Sequence, residues 1–173
     1  MASRKGGAGA LASAIAALRW LVNAFVVLCF SYMVLAVVVQ VLGRYVLPIR
    51  IGNAVETATF AQIWLTAIGA SVALREGAVF AVDTLTRRLD LSSARILSVV
   101  ICVLNLGFLA VMIYGGVLLV ERGMIQTSPV LLIPMWTIFI SIPIGMSLLA
   151  LEVVLHVVEN WHAPFAQAAE EPL

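Results

Sequence analysis

Four long apolar runs set the limits on how this chain folds. They cover residues 20–42, 54–74, 96–120 and 131–151. Crossing about 30 Å of hydrocarbon as a helix takes about 20 apolar residues, and lipid cannot satisfy a backbone that leaves its polar groups unpaired. The chain is 63% hydrophobic and only 11% charged, unlike a soluble domain. We therefore predict an all-α integral membrane protein with four transmembrane helices.

The lysines and arginines predict the orientation of these helices. Of the ten, seven lie before span one or between spans two and three, and three lie in the other two loops. Because positively charged loops remain in the cytoplasm, both termini are predicted to be cytoplasmic. The chain then has a cytoplasmic segment (1–19), a membrane domain (20–158) and a cytoplasmic tail (159–173).

The loop between spans two and three has a helical pattern of its own. Its apolar and charged residues fall on different faces, which predicts a short amphipathic helix on the cytoplasmic leaflet. A plain solvated loop is the alternative. The residues that carry the pattern are Val82, Asp83, Leu85, Arg87 and Leu89.

Span two carries a stripe of small and polar residues at helical spacing. Phe60, Trp64 and Ile68 fall on the opposite side, because residues three or four apart share one helix face. Small residues let two helices approach, and polar ones bond across the contact, so the stripe predicts a scaffold helix that packs against another helix. Its members are Thr59, Gln62, Thr66, Gly69 and Ala73.

Spans three and four carry weaker signals of the same kind. Span three has Ser98, Cys102, Asn105 and Gly116 along one side, which again indicates a helix contact. In span four, Pro134 is predicted to lie in the first turn. Pro143 is predicted to kink the middle of the span, because its ring displaces a backbone hydrogen bond.

Ionisable groups within the bilayer are the candidates for chemistry, and few exist. Glu56, near one end of span two, is interpreted either as a proton or cation site or as the ion-pair partner of Arg44; we favour the pair. Glu152 and His156 share one face but are predicted to lie at a solvated helix end.

The sequence contains no recognisable catalytic machinery. The spans lack the paired histidines that haem ligation requires, and the chain has no metal motif, catalytic triad or phosphate loop. Its two cysteines lie inside apolar runs and form no CxxC, and a net charge of +1 does not favour nucleic-acid binding. We predict no enzyme activity and no cofactor, and the residues alone indicate an accessory or interaction subunit.

The order and spacing of several motifs are similar to one transporter family. The chain resembles the small permease subunit (DctQ type) of the tripartite ATP-independent periplasmic (TRAP) transporters, over residues 20–152. The resemblance rests on Arg44-Tyr45 closing span one and Glu56 opening span two. It continues through Trp64, Gly69-Ala70, Arg75 and Val82-Asp83, and ends in residues Ser128 to Gly145.

This resemblance implies a role in ion-gradient-driven uptake across a bacterial inner membrane. The small subunit would scaffold a large permease subunit among the membrane lipids and help to dock a periplasmic protein that captures an organic acid, usually with sodium as the coupling ion. Predicted docking residues are Arg44, Arg50, Glu121 and Arg122. Predicted subunit-interface residues are Glu56, Thr59, Gln62, Trp64, Thr66, Gly69, Ser98, Asn105 and Pro143.

Two other interpretations remain open from the sequence. An orphan four-helix membrane protein of assembly or interaction has the same composition. A stand-alone four-helix exporter is disfavoured, because such a protein is expected to carry a carboxylate deep in its first span, and span one has none.

Overall fold

The computed structural model describes residues 3–46, 53–76 and 91–159, with side chains from residues 12, 53 and 95 onward in the three ranges. Two sets of predictions lie outside these residues. One is the amphipathic segment at Val82, Asp83, Leu85, Arg87 and Leu89, and the other is the docking residue Arg50.

The described residues form five helices in the order α1 to α5. The helices are α1 (Ser3–Tyr45), α2 (Ala54–Arg75), α3 (Leu91–Gly123), α4 (Trp136–Phe139) and α5 (Ser141–Glu159). Four stretches, Ala12–Tyr45, Ala54–Arg75, Arg95–Gly123 and Trp136–Glu159, are long and apolar enough to cross a membrane. The predicted all-α fold with four such helices is thus confirmed.

The fourth spanning helix begins later than the sequence predicted. The sequence predicts Pro134 in the first turn of this helix. In the structure Pro134 instead forms an isolated bridge with Thr127, and the helix begins only at Trp136. The helix is then interrupted at Ile140. This break follows from Pro143, which has no N–H and so cannot donate the usual helical hydrogen bond to the carbonyl of Phe139. The proline therefore interrupts the helix near the start of the span rather than in its middle.

The chain divides into two compact units, Met1–Leu65 and Thr66–Leu173. In the first, the rings of Phe25 on α1 and Trp64 on α2 meet edge to face, with centroids 5.8 Å apart. Such aromatic pairs contribute about 0.5–1.5 kcal/mol beyond the area they bury. Trp64 therefore ties α2 to α1 within this unit.

The second unit, Thr66–Leu173, has a core shared by three helices. Leu74 of α2, Leu109 of α3 and Val153 of α5 are buried together. Partly buried side chains surround them: Cys102, Leu106, Met146, Leu149 and Ala150. Cys102 thus lies in a helix contact, as predicted for its face of span three.

Glycines on α3 and α5 permit close approach of neighbouring helices in this second unit. A methyl group added at Gly145 would overlap the backbone carbonyl of Ala67 on α2. One added at Gly116 would lie 3.0 Å from the ring of Pro143. Small residues at such positions let backbones come together where lipid supplies no hydrophobic driving force.

Candidate subunit interface

Helix α2 has two faces of different character. One face is buried in the protein and consists of small and apolar residues: Ala54, Ala58, Ala67, Ile68, Ser71 and Leu74. On the other face Thr59, Gln62 and Thr66 are exposed. Of the three residues predicted on the side opposite the polar stripe, Ile68 is buried, and Phe60 and Trp64 are half-buried. The apolar side of α2 therefore packs within the chain, and the polar side faces outward.

We call Thr59, Gln62, Thr66 and the half-buried Gly69 the α2 polar stripe; Ala73, the last member predicted from the sequence, is also half-buried. The Thr59 hydroxyl donates to the Val55 carbonyl at 2.9 Å, so this threonine is accommodated by its own helix. Gln62 carries a polar amide on an exposed side chain, and such a group packs more favourably against a protein neighbour than against hydrocarbon. Outside its own helix turn, no atom of the described residues lies within 4 Å of a methyl group built on Gly69, which leaves room for an approaching helix.

The remaining predicted interface residues lie in different surroundings. Asn105 is exposed on α3, and Ser98 is half-buried. Glu56 is half-buried in the first turn of α2. Trp64 contacts Phe25, and Pro143 faces Gly116, so each of these two has a contact within the chain.

The described docking candidates are all exposed, at the ends of α1 and α3. The Arg44 guanidinium lies 5.8 Å from the ring centroid of Tyr45, and its ion pair with Glu56 stays a prediction. Glu121 and Arg122 lie exposed in the last turn of α3. No further charged residue follows until Glu152, so Glu121 and Arg122 mark the start of a long uncharged stretch.

Glu152 corrects one interpretation made from the sequence. It was expected at a solvated helix end, but it is buried, with 8% of its surface exposed, next to the core residue Val153. The reason is the later register of the last helix, which continues to Glu159. Because a buried carboxylate is retained only when it is paired or hydrogen-bonded, its burial indicates a structural role.

Some contacts had no distinct signal in the sequence. Gly145 approaches Ala67, and Gly123 approaches the backbone of Trp136, with only 2.8 Å between the Trp136 nitrogen and a methyl built on the glycine. The hydroxyl of the fully buried Ser141 donates to the Ile138 carbonyl at 2.7 Å. The spacing of small residues marks such positions as possible contacts, but it does not identify the partner.

No arrangement for metal chemistry occurs in the part of the chain that the structure describes, since no three His, Cys, Asp or Glu side chains are grouped to hold an ion. The side chains that stand out are polar groups directed outward from membrane-length helices. Such a surface is suited to association with another membrane protein.

Comparison with known proteins identifies the family of this chain. A search of curated proteins finds no match. A family model does match, and its description reads "Tripartite ATP-independent periplasmic transporters, DctQ component". The match covers residues 33–163 of the 173, which includes the C-terminal part of α1 and all of α2 to α5. The chain therefore belongs to the DctQ family and is the small membrane subunit of a TRAP transporter, a multi-pass component of a tripartite transport system rather than a member of a known enzyme family.

Proposed function

We propose that this subunit is a scaffold that binds the large permease subunit through the α2 polar stripe and takes no direct part in moving the solute. The observation that carries the proposal is the division of α2 into a face buried within the chain and an exposed polar face. Exposed Thr and Gln side chains at membrane depth are better accommodated by a partner helix than by lipid.

A bulky residue at Gly69 tests this assignment. Gly69→Leu adds a side chain where the chain itself has open space, so its own fold is expected to tolerate the change while a partner helix is displaced. Gly107→Leu on α3 is the matched control, because a methyl there likewise has no described residue within 4 Å beyond its own helix turn. We expect capture of the large subunit by the tagged chain to fall at least about tenfold for Gly69→Leu, equivalent to about 1.4 kcal/mol.

Equal capture by the two leucine variants would contradict the assignment of the interface to α2. Each variant is first unfolded alone in detergent, so that a loss of capture is not confused with a loss of folding. A second variant, Gln62→Leu, removes hydrogen-bonding groups without adding much bulk. Its capture is expected to be weaker than that of the original chain.

The exposed charges at the ends of α1 and α3 support a second part of the proposal, that this subunit helps to dock the periplasmic solute-binding protein. Charges at the rim of an interface steer association and set its salt dependence. The experiment replaces Arg50 and Arg122 together with Glu and measures uptake by the reconstituted three-part system. Arg87→Glu with Arg88→Glu is the charge-matched control in the loop predicted to be cytoplasmic.

We expect the Arg50 and Arg122 double variant to need a higher concentration of binding protein for half-maximal uptake, and to depend less on salt. Uptake that stays unchanged over the whole concentration range would exclude these residues from docking. The same system tests the solute class and coupling ion that we propose, an organic acid taken up with sodium. Uptake should cease when the sodium gradient is removed.

The proposed topology has both termini in the cytoplasm of a bacterial cell with this subunit in its inner membrane. The support is the seven-to-three distribution of Lys and Arg between the two sides. A cysteine added before Ser3 is expected to resist a membrane-impermeant thiol reagent in intact cells and to react after the membrane is opened. Reaction in intact cells would reverse the orientation.

A further inference from the structure

The segment that joins α3 to α4, residues 124–135, is an ordered turn, which we call the apolar loop. Its two arms meet in an antiparallel bridge between Thr127 and Pro134. The Ser128 amide donates to the Ile133 carbonyl at 2.9 Å, and the Leu131 amide donates to Ser128 Oγ at 3.3 Å. Ser128 is 1% exposed and forms the centre of the turn.

The apolar loop turns large hydrophobic side chains away from the protein. Ile125 is 90% exposed, Leu132 is 72% exposed and Met124 is 64% exposed. Leu132 adopts a φ of 55°, a left-handed conformation that is unfavourable for a non-glycine residue. The fold thus maintains a strained backbone at a position where a leucine side chain points outward.

Several backbone amides of the loop donate hydrogen bonds to other groups of the chain. The amides of Met124, Ile125 and Gln126 continue the last turn of α3 by donating to carbonyls three residues earlier, at 3.3–3.4 Å. Two further positions, Pro129 and Pro134, have no N–H to satisfy. A backbone of this kind is compatible with a medium that offers few hydrogen bonds.

The position and composition of the apolar loop identify that medium. The loop connects the ends of two membrane-length helices, so it lies at a membrane surface. No charged residue occurs from Gly123 to Leu151, whereas Glu121 and Arg122 directly precede this stretch. Trp136, partly exposed where α4 begins, is the residue type that anchors helices at the headgroup level. Glu121 and Arg122 border the loop on one side, but residues 124–135 themselves carry no charge, so their insertion into lipid would bury none.

We propose that the apolar loop is a lipid-binding element that inserts Ile125 and Leu132 into the headgroup–acyl boundary of the leaflet at which α3 ends. Insertion removes two large side chains from water without exposing a charge to hydrocarbon. Glu121 and Arg122 stay in the aqueous layer and limit the depth. The proposal concerns the chain by itself and does not depend on its partners or on its orientation.

The test places an environment-sensitive fluorophore on single cysteines in the full chain, in a background with Cys29→Ala and Cys102→Ala. The labelled variants are Ile125→Cys and Leu132→Cys, with Glu121→Cys as the reference on the last turn of α3. Each is reconstituted alone into phosphatidylcholine nanodiscs after size-exclusion chromatography has shown a single species. Quenching is measured with aqueous iodide and with lipids spin-labelled near the headgroup end of the acyl chain.

We expect iodide quenching at Ile125→Cys and Leu132→Cys to be several-fold weaker than at Glu121→Cys, and quenching by the spin-labelled lipid to be several-fold stronger. Two labelling positions keep the test decisive if one variant does not fold. Labels that are open to iodide in the chain alone would overturn the proposal. Protection that appears only when the large subunit or binding protein is added would show that the loop is a protein interface instead, and shielding from both quenchers would place it inside the protein.

Discussion

The contact between Gly145 and Ala67 offers the sharpest test of how α2 and α5 pack. A methyl built on Gly145 would lie 2.6 Å from the carbonyl carbon and 2.9 Å from the Cβ of Ala67, and it would overlap the carbonyl oxygen. Backbone atoms cannot rotate away as a flexible side chain does. Gly145→Ala therefore forces the two helices apart, next to the core formed by Leu74, Leu109 and Val153.

The expected cost follows from two opposing effects. Overpacking a well-packed core costs about 1–3 kcal/mol, and a clash with backbone belongs at the upper end of that range. Alanine also favours the helix over glycine by about 1 kcal/mol. The net loss of unfolding free energy for Gly145→Ala is then about 2 kcal/mol.

Gly115→Ala on α3 is the matched control, because a methyl there is more than 4 Å from every described residue outside its own helix turn. Gly115→Ala gains the helix propensity of alanine without a clash, so the unfolding free energies of the two variants should differ by about 3 kcal/mol. The assay is the loss of helical circular dichroism as SDS is added to the chain in a mild detergent. Unfolding midpoints that agree for Gly145→Ala and Gly115→Ala would refute the close approach of α2 to α5.

Three further predictions use the same unfolding assay. Leu132→Gly should be about 1 kcal/mol more stable than Leu132→Ala, because both remove the leucine side chain but only glycine adopts a positive φ without strain. Equal stability of the two variants would show that the backbone at Leu132 is not strained. The losses of unfolding free energy caused by Phe25→Leu and Trp64→Leu should differ from simple addition in the double variant by about 0.5–1.5 kcal/mol, as expected for an edge-to-face pair. Losses that simply add would mean that the two rings do not interact. The effects of Arg44→Gln and Glu56→Gln on the unfolding free energy should be coupled by less than about 1 kcal/mol, because Arg44 is exposed. If the double variant loses as much stability as the two single variants added together, the two side chains form no ion pair.

The features predictable from the sequence are those that depend on length and periodicity. Run length alone predicted four membrane-length helices, because the apolar requirement of the bilayer is a property of one helix at a time. The 3.6-residue period likewise separated Gln62 from Ile68 on α2, and the structure exposes the first and buries the second. Neither inference needed knowledge of which helices are neighbours.

The features that escaped the sequence depend on contacts between helices. Pro134 is as compatible with the first turn of a helix as with a turn before it, so the start of the last span was placed too early. That error also placed Glu152 at a solvated end, although it is buried. The glycines look alike in the sequence. In the described part of the chain, a methyl on Gly145 would meet the backbone carbonyl of another helix, whereas one on Gly69 or Gly115 would meet nothing beyond its own helix turn within 4 Å.

This difference among glycines separates the internal surfaces of the subunit from its external ones. A glycine in contact with a neighbouring backbone has its function within the chain, and replacing it should destabilise the isolated subunit. Gly69 lies in open space beside the exposed Thr66 on α2, so a substitution there should be nearly silent until another protein is present. Stability measured on the chain alone and capture of the large subunit must therefore respond to different glycines. A single glycine that controlled both would mean that the buried and exposed faces of α2 do not act separately, and the scaffold role would lose its physical basis.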